Sequence, residues 1–394
     1  MTFEEIREAD EKYIMHSYGR LPVALKEGKG ATVWDWDGKK YIDCTSGIGV
    51  NCLGHNYLPL QLAIQEQMHH IMHICNLYYS EPTVKAAKLL TEASGMDKVF
   101  FANSGAEANE GMIKLARKYS IDHYGPERTT IITLQQSFHG RTITTLKATG
   151  QDRFHHDFLP YTKGFDYAVA NDIEDLKAKI DDKTCAVMLE MIQGEGGVLP
   201  LTQEYAKAVE QLCREKELLL LVDEVQTGIG RTGTLFCYEQ YGIHPNVVSM
   251  AKALGGGVPI GGVLADKTCS DTFTPGTHGA TFGGNPLCCT AAQVVLSTVT
   301  QPDFLQAVRE KSAYIQDKVL GFHSPNVKGV RGMGLMLGII VDPDKLNGYV
   351  SALIEKGVLV LTAGSDAIRL LPPLVITYEE LDQALAALKE VLCA

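Results

Sequence analysis

Three groups of residues in this chain have the types and positions to do chemistry together. One is Lys252, the single cation in "NVVSMAKALGGGVPIGG", where an apolar run ends and glycines follow. A lysine can lay its stem on apolar surface and keep its ammonium in water. A lysine carried into a crevice loses its proton more easily and can form a Schiff base with an aldehyde. The second is Asp223, which ends the apolar run "LLLLVD". It either caps a strand end in water or turns a carboxylate toward the crevice that receives Lys252. The third is Ser104-Gly105-Ala106, which follows "KVFFAN" and opens a helix. Small residues there expose free N–H groups and a dipole to an anion, or else Ser104 is simply an N-cap.

An amine, a carboxylate and an anion site are the three things that pyridoxal 5′-phosphate (PLP) needs from a protein. The aldehyde takes the lysine, the carboxylate keeps the ring nitrogen protonated, and the helix start takes the phosphate. Two other patterns lead elsewhere. "GIGRTG", Gly228 to Gly233, spells the dinucleotide fingerprint. "EVQT" separates it from its strand, and "VVSMAKA", about 20 residues on, lacks the required acid. It reads as a loop, and NAD is not expected. "HHIMH", His69 to His73, has no evident third ligand, so no metal is expected.

The elements that must position these residues are strands and helices in alternation. "KVFFAN", "TTIITL", "CAVMLEMI", "LLLLVDEV" and "NVVSMA" are near-continuous apolar runs, as in a mostly parallel sheet covered on both faces. Ala108, Met112, Leu115, Ala116 and Tyr119 share one face of the helix that begins at Gly105. "ATVWDWDGKKYIDC" predicts two short strands around a turn at Asp37-Gly38. After about residue 295, "VRGMGLMLGIIV", "GVLVLTAG" and "AIRLLPPL" predict strands of a smaller α+β unit. A final helix carries a Thr377/Glu380 capping box and a stripe of Leu381, Leu385, Leu388 and Leu392. Ligands of open α/β sheets bind beyond the carboxyl ends of the strands, where Asp223, Lys252 and Ser104 fall.

The 394 residues are 45% hydrophobic and 21% charged, with a formal net charge of −11. That composition suits a globular enzyme of two domains, and its acidity argues against nucleic acid or anionic membrane as a partner. The charged N-terminal stretch lacks a signal-peptide core, and no apolar run is long enough to span a bilayer. The ten cysteines are scattered without a C-x-x-C pair, which favours reduced thiols and a cytoplasmic location.

"VDEVQTGIGRTG" and "SMAKALGGGVPIGG" resemble the signature of the class III aminotransferases, which are fold-type I (aspartate aminotransferase-like) PLP enzymes. "FFANSGAEANEGMIKLARK", "SFHGRT", "QGEGG" and "TFGGNPL" extend the resemblance over nearly the whole chain. It implies an α/β fold: a large PLP-binding domain with a mostly parallel seven-stranded sheet (49–294), and a smaller α+β domain from both termini (1–48 and 295–394). By resemblance, Lys252 is the catalytic lysine that joins the cofactor and carries the proton, and Asp223 partners the pyridine nitrogen. Val225 and Phe138 pack on the two ring faces, and Gln226 donates to the phenolic oxygen. Ser104, Gly105 and Ala106 form the phosphate turn. Thr281 reaches the phosphate from a second subunit, which implies a homodimer with shared active sites.

Within the class, "YGRLPVALKEGKGATVWDWDGKKYIDCTSGIGVNCLGH" is most similar to the acetylornithine aminotransferases of arginine biosynthesis. These move the side-chain amine of N2-acetylornithine to 2-oxoglutarate, giving N-acetylglutamate 5-semialdehyde and glutamate. The resemblance gives Arg141 the α-carboxylate of the amine substrate and Arg369 that of glutamate, both suited to bidentate pairing. It makes Glu195 a switch that covers Arg369. Ala280 stands where the family usually has a hydroxyl residue touching the acylated substrate, and Met191 where it commonly has proline. Ornithine, succinylornithine and 4-aminobutyrate therefore stay open as amine substrates, and a PLP mutase or decarboxylase step as a different reaction.

Overall fold

Residues 1–394 are described by a computed structural model. Seven strands form one sheet, in the order Lys98–Ala102, Gly261–Ala265, Val247–Met250, Leu219–Asp223, Thr184–Leu189, Thr130–Leu134 and Phe165–Ala168. Gly261–Ala265 runs antiparallel to both neighbours, and the other pairings are parallel. The fold is therefore mixed α/β with a mostly parallel sheet. Strands Thr184–Leu189, Leu219–Asp223 and Val247–Met250 are buried at every residue. Burying each Leu or Val here is worth about 1.5–3 kcal/mol, which is why the runs show no polar alternation.

Two strands depart from the expected set. Gly261–Ala265 forms a full strand where the apolar runs of the sequence named none. Glycine weakens a strand pattern, but here it permits close approach: a Cβ on Gly261 would stand 2.5 Å from the Ser104 carbonyl oxygen. Phe165–Ala168 is a short edge strand with mixed exposure, too brief for a clear period.

Helix Gly105–Tyr124 packs Ala108, Met112, Leu115 and Ala116 into the core, with Tyr119 against its margin. The strand pair Thr32–Asp35 and Lys40–Asp43 turns at Asp37-Gly38 as expected. Val358–Leu359 pairs in parallel with Ile42 and Asp43, so segments from both ends of the chain share one four-stranded sheet. A second four-stranded sheet carries Ala367–Leu370, with Arg369 opposite Gly338. The final helix, Tyr378–Leu392, has the Thr377/Glu380 capping box and buries Leu381, Leu385, Leu388 and Leu392. No helix is long and apolar enough to cross a membrane.

Candidate active site

Asp223 and Lys252 lie at the carboxyl ends of adjacent parallel strands, Asp223 opposite Ser249 and Lys252 just past Met250. Asp223 is buried, and its Oδ2 accepts from Asn109 Nδ2 at 2.7 Å and His139 Nδ1 at 2.8 Å. A carboxylate can only accept, so His139 Nδ1 carries the proton. Val225 N donates to Asp223 Oδ1 at 2.9 Å. The carboxylate is thus fixed in place by donors from three segments.

Lys252 begins a short 3₁₀ turn with φ +44°, a left-handed conformation that costs a non-glycine residue about 1 kcal/mol or more. Its amine is held below the ordinary lysine pKa. Burial is the main cause and Arg369 adds to it, while Glu195, Asp223 and Glu190 act the other way.

Ser104 is the N-cap of helix Gly105–Tyr124, its Oγ accepting from Glu107 N at 3.2 Å. The capping role is real, and it leaves the Gly105 and Ala106 N–H groups free for an anion. The turn is closely packed: a Cβ on Gly105 would come within 2.6 Å of Val225 Cγ1. Gly140, at φ +136°, presses on the same turn, since a Cβ there would lie 3.0 Å from Ala106 Cβ.

Phe138 stands beside Phe154, ring centroids 6.1 Å apart. Its backbone N–H donates at 3.0 Å to Glu190, whose other oxygen lies 3.4 Å from Gly194 N. Burial, and then the nearby Asp223 charge, push the Glu190 carboxyl well above the usual carboxylate range.

Gln226, Glu195 and Arg369 form a second cluster next to Lys252. Arg369 is almost fully buried, and its Nη1 pairs with Glu195 Oε1 and lies 3.3 Å from Gln226 Oε1. Gln226 Nε2 in turn donates to Glu195 at 3.3 Å. Burial alone would raise the Glu195 carboxyl, but the charge and hydrogen bond of Arg369 reverse this and hold it below its ordinary value. Arg369 Nε has no partner, so the guanidinium keeps a donor in reserve.

Arg141 is exposed and lies over the Phe154 ring, 4.2 Å from its centroid, and 5.6 Å from that of Phe138. Ala280 and Thr281 are on a different wall. They border a hollow of about 330 Å³ with Phe100, Asn103, Glu107 and Glu110, and no hydrogen bond ties them to Lys252 or Asp223. Asn109, His139 and Glu190 are functional-site neighbours that the sequence reading passed over. Only Glu190 had a signal, as the one charge in the apolar run "CAVMLEMI".

The two patterns set aside in the sequence also have positions. Gly228 to Gly233 is a loop, and the next helix is the four-residue Tyr238–Tyr241. His69 closes a helix, His70 faces Glu66 at 3.2 Å and His73 lies tilted against Phe282, ring centroids 5.0 Å apart.

The donor set fits an aromatic ring bearing an aldehyde and a phosphate. It has one amine that deprotonates easily, one carboxylate fixed by three donors, and a helix start crowded so tightly that a methyl group at Gly105 would collide. A family described as aminotransferase class-III matches residues 13–392. The chain is similar to the acetylornithine aminotransferase of Haemophilus ducreyi, 48% identical over 100% of this chain and 99% of the relative. It is 45% identical to that of Methanocaldococcus jannaschii over 99% of this chain and 98% of the relative. Among solved structures, an ornithine aminotransferase from Toxoplasma gondii superimposes with a TM-score of 0.96 at 33% identity. The match covers 99% of this chain and 94% of that one, whose active site holds PLP at partial occupancy. The N-acetylornithine aminotransferase of Stenotrophomonas maltophilia gives 0.85 at 36% identity, covering 98% and 97%.

Proposed function

Since the chain belongs to the class III aminotransferases, we propose that it uses PLP to move the side-chain amine of N2-acetyl-L-ornithine to 2-oxoglutarate. The products are N-acetyl-L-glutamate 5-semialdehyde and L-glutamate, a reaction of arginine biosynthesis. The observation that carries this reading is the convergence of Lys252, Asp223 and the Glu195–Arg369 pair around one crevice. The full-length relatives named acetylornithine aminotransferase support the choice of substrate.

PLP bound here supplies an electron sink for the carbon that carries the transferred amine. Lys252 Nζ would hold the cofactor and, once released, would carry the proton from that carbon to the cofactor. Its lowered pKa leaves the amine free to accept. Asp223, fixed by His139 and Asn109, would hold a proton on the ring nitrogen. Gly105 and Ala106 would take the phosphate, Val225 and Phe138 would bound the ring, and Gln226 would donate to its phenolic oxygen.

Two unlike amines must use one site. Arg141 binds the α-carboxylate of the acylated amine, which places the distal amine at the reacting carbon. Arg369 binds the α-carboxylate of glutamate. With the amine substrate bound, Glu195 stays on Arg369 and neutralises it; with glutamate bound, it moves off.

The site is completed by a second copy of the chain. Thr281 and Ala280 lie apart from the Lys252 cluster, and Thr281 is exposed. Near them, Leu77, Tyr78, Tyr79 and Phe282 are exposed by 59–102%, an apolar face suited to a homodimer interface. Within each copy, residues 49–294 form the PLP-binding domain and residues 1–48 with 295–394 the smaller one. The parallel pairing of Val358–Leu359 with Ile42 and Asp43 supports that division. A cytoplasmic location is supported by the ten scattered cysteines, all of them free thiols.

Ornithine is the nearest alternative amine, favoured by the T. gondii superposition and by Ala280, which cannot hydrogen-bond an acyl group. Rates with acetylornithine, succinylornithine, ornithine and 4-aminobutyrate, each with 2-oxoglutarate, decide between them. A higher kcat/KM for ornithine than for acetylornithine would overturn the proposal.

A further inference from the structure

We infer that Arg231 is a positioning residue that sets Arg369 for the carboxylate of the dicarboxylic partner. The inference rests on the reading of Arg369 given above. Arg231 lies in the glycine loop after Asp223 and is fully buried. Its Nη1 donates to two carbonyl oxygens at once, Leu335 at 3.0 Å and Pro372 at 2.5 Å. Its own carbonyl accepts from Leu335 N at 2.9 Å.

Those two carbonyls flank the strands around Arg369. Leu335 lies in the turn that enters Met336–Ile340, and that strand pairs Gly338 with Arg369. Pro372 lies in the segment that leaves Ala367–Leu370, the strand carrying Arg369. Pro372 and Pro373 have no N–H, so that segment is held through its carbonyls and flanking amides. Leu371 N donates to Cys44 O at 2.8 Å, Leu374 N to Cys52 O at 2.7 Å, and Ser46 Oγ to Leu371 O at 2.5 Å. Arg231 adds the one hydrogen bond that also reaches the loop of Gln226, which itself touches Arg369. The Arg369 backbone and guanidinium are thereby referred to the same loop.

The arrangement is costly. Nε and Nη2 of Arg231 have no partner, no carboxylate pairs with it, and burial lowers its pKa to about 10. A methionine would fill the same volume without a desolvated charge, so packing alone gives no reason for an arginine here.

The test uses the PLP-loaded dimer and two variants, Arg231→Met and Arg231→Lys. Calorimetry measures the binding of glutarate, an unreactive dicarboxylate. Rapid-mixing absorbance measures the half-reactions with glutamate and with the amine donor. Arg231→Met is expected to weaken glutarate binding about 10- to 100-fold, the size of a lost hydrogen bond from a charged group. The glutamate half-reaction should lose a similar factor in KM, and the amine half-reaction should stay within about 3-fold. Arg231→Lys, which keeps a charge on a single nitrogen, should fall between, and it carries the test alone if the methionine variant does not fold. Unchanged glutarate affinity, or equal losses in both half-reactions, would overturn the inference. Arg369→Gln separates the two readings. If it binds glutarate normally, the role of Arg369 itself is wrong; if it alone loses glutarate, only the role of Arg231 is.

Discussion

Glu195 and Arg369 form an ion pair in which the arginine side chain is 3% exposed and the glutamate 29%. The pair closes the arginine from the outside, and Gln226 touches both partners. Glu195→Gln removes the covering charge. Glutamate and 2-oxoglutarate should then bind about 10-fold more tightly, because a partner no longer has to be displaced. The amine half-reaction should slow by a comparable factor. Half-reaction kinetics read both effects, and a parallel loss of both would contradict the switch.

Lys252→Ala should lower turnover by at least ~10³-fold, as expected when a nucleophile that is also the proton carrier is removed. Burial makes the Lys252 amine easier to deprotonate, so its capture of PLP should set in at a lower pH than for a solvent-exposed lysine. Absorbance of the reconstituted apoprotein against pH gives the midpoint. Borohydride reduction followed by peptide mapping should find the adduct at Lys252.

Asp223→Asn keeps a polar group between His139 and Asn109 and removes the charge. Activity should fall about 10²–10³-fold, the usual consequence of deleting one preorganised electrostatic group. Secondary structure should be unchanged by circular dichroism.

Gly105→Ala places a methyl group 2.6 Å from Val225 Cγ1 at the helix start. Shifting that contact costs about 1–3 kcal/mol. The cost should appear in PLP affinity, about 10-fold or more by equilibrium dialysis, with a smaller loss in the melting temperature of the apoprotein.

Glu224 is buried beside Asp223, with Thr227 Oγ1 donating to it at 2.5 Å and Tyr238 N at 2.9 Å. Burial raises its pKa to about 7. The folded protein therefore holds this proton where the unfolded chain, with a carboxyl near pKa ~4.3, has lost it. The contribution to stability is full below the unfolded value, declines as pH rises, and is gone above about 7. Glu224→Gln cannot lose a proton, so its melting temperature relative to the wild-type chain should rise between pH 5 and pH 8. A pH-independent difference would contradict the assignment.

Much of the frame was legible because burial on both faces of a sheet leaves unbroken apolar runs. "LLLLVD" and "NVVSMA" are such runs, and they prove to be adjacent parallel strands. The capped final helix was legible for a local reason, since Thr377 and Glu380 satisfy each other within one turn. Gly261–Ala265 was not, because glycines admitted for close approach to Ser104 erase the strand pattern.

The sequence by itself determined which residues can carry charge or a proton, and which elements hold them, because those follow from composition and from contacts within a turn or a strand. It could not determine what surrounds them. That His139 and Asn109 both reach Asp223, that Glu190 shares its pocket, and that Arg231 ties Leu335 to Pro372 are contacts between segments about 30 to 140 positions apart. Only the folded chain brings such segments within 3 Å. Hydrogen bonds need that close approach and desolvation needs segments packed around a group, so the tertiary structure decided which side chains meet at the crevice.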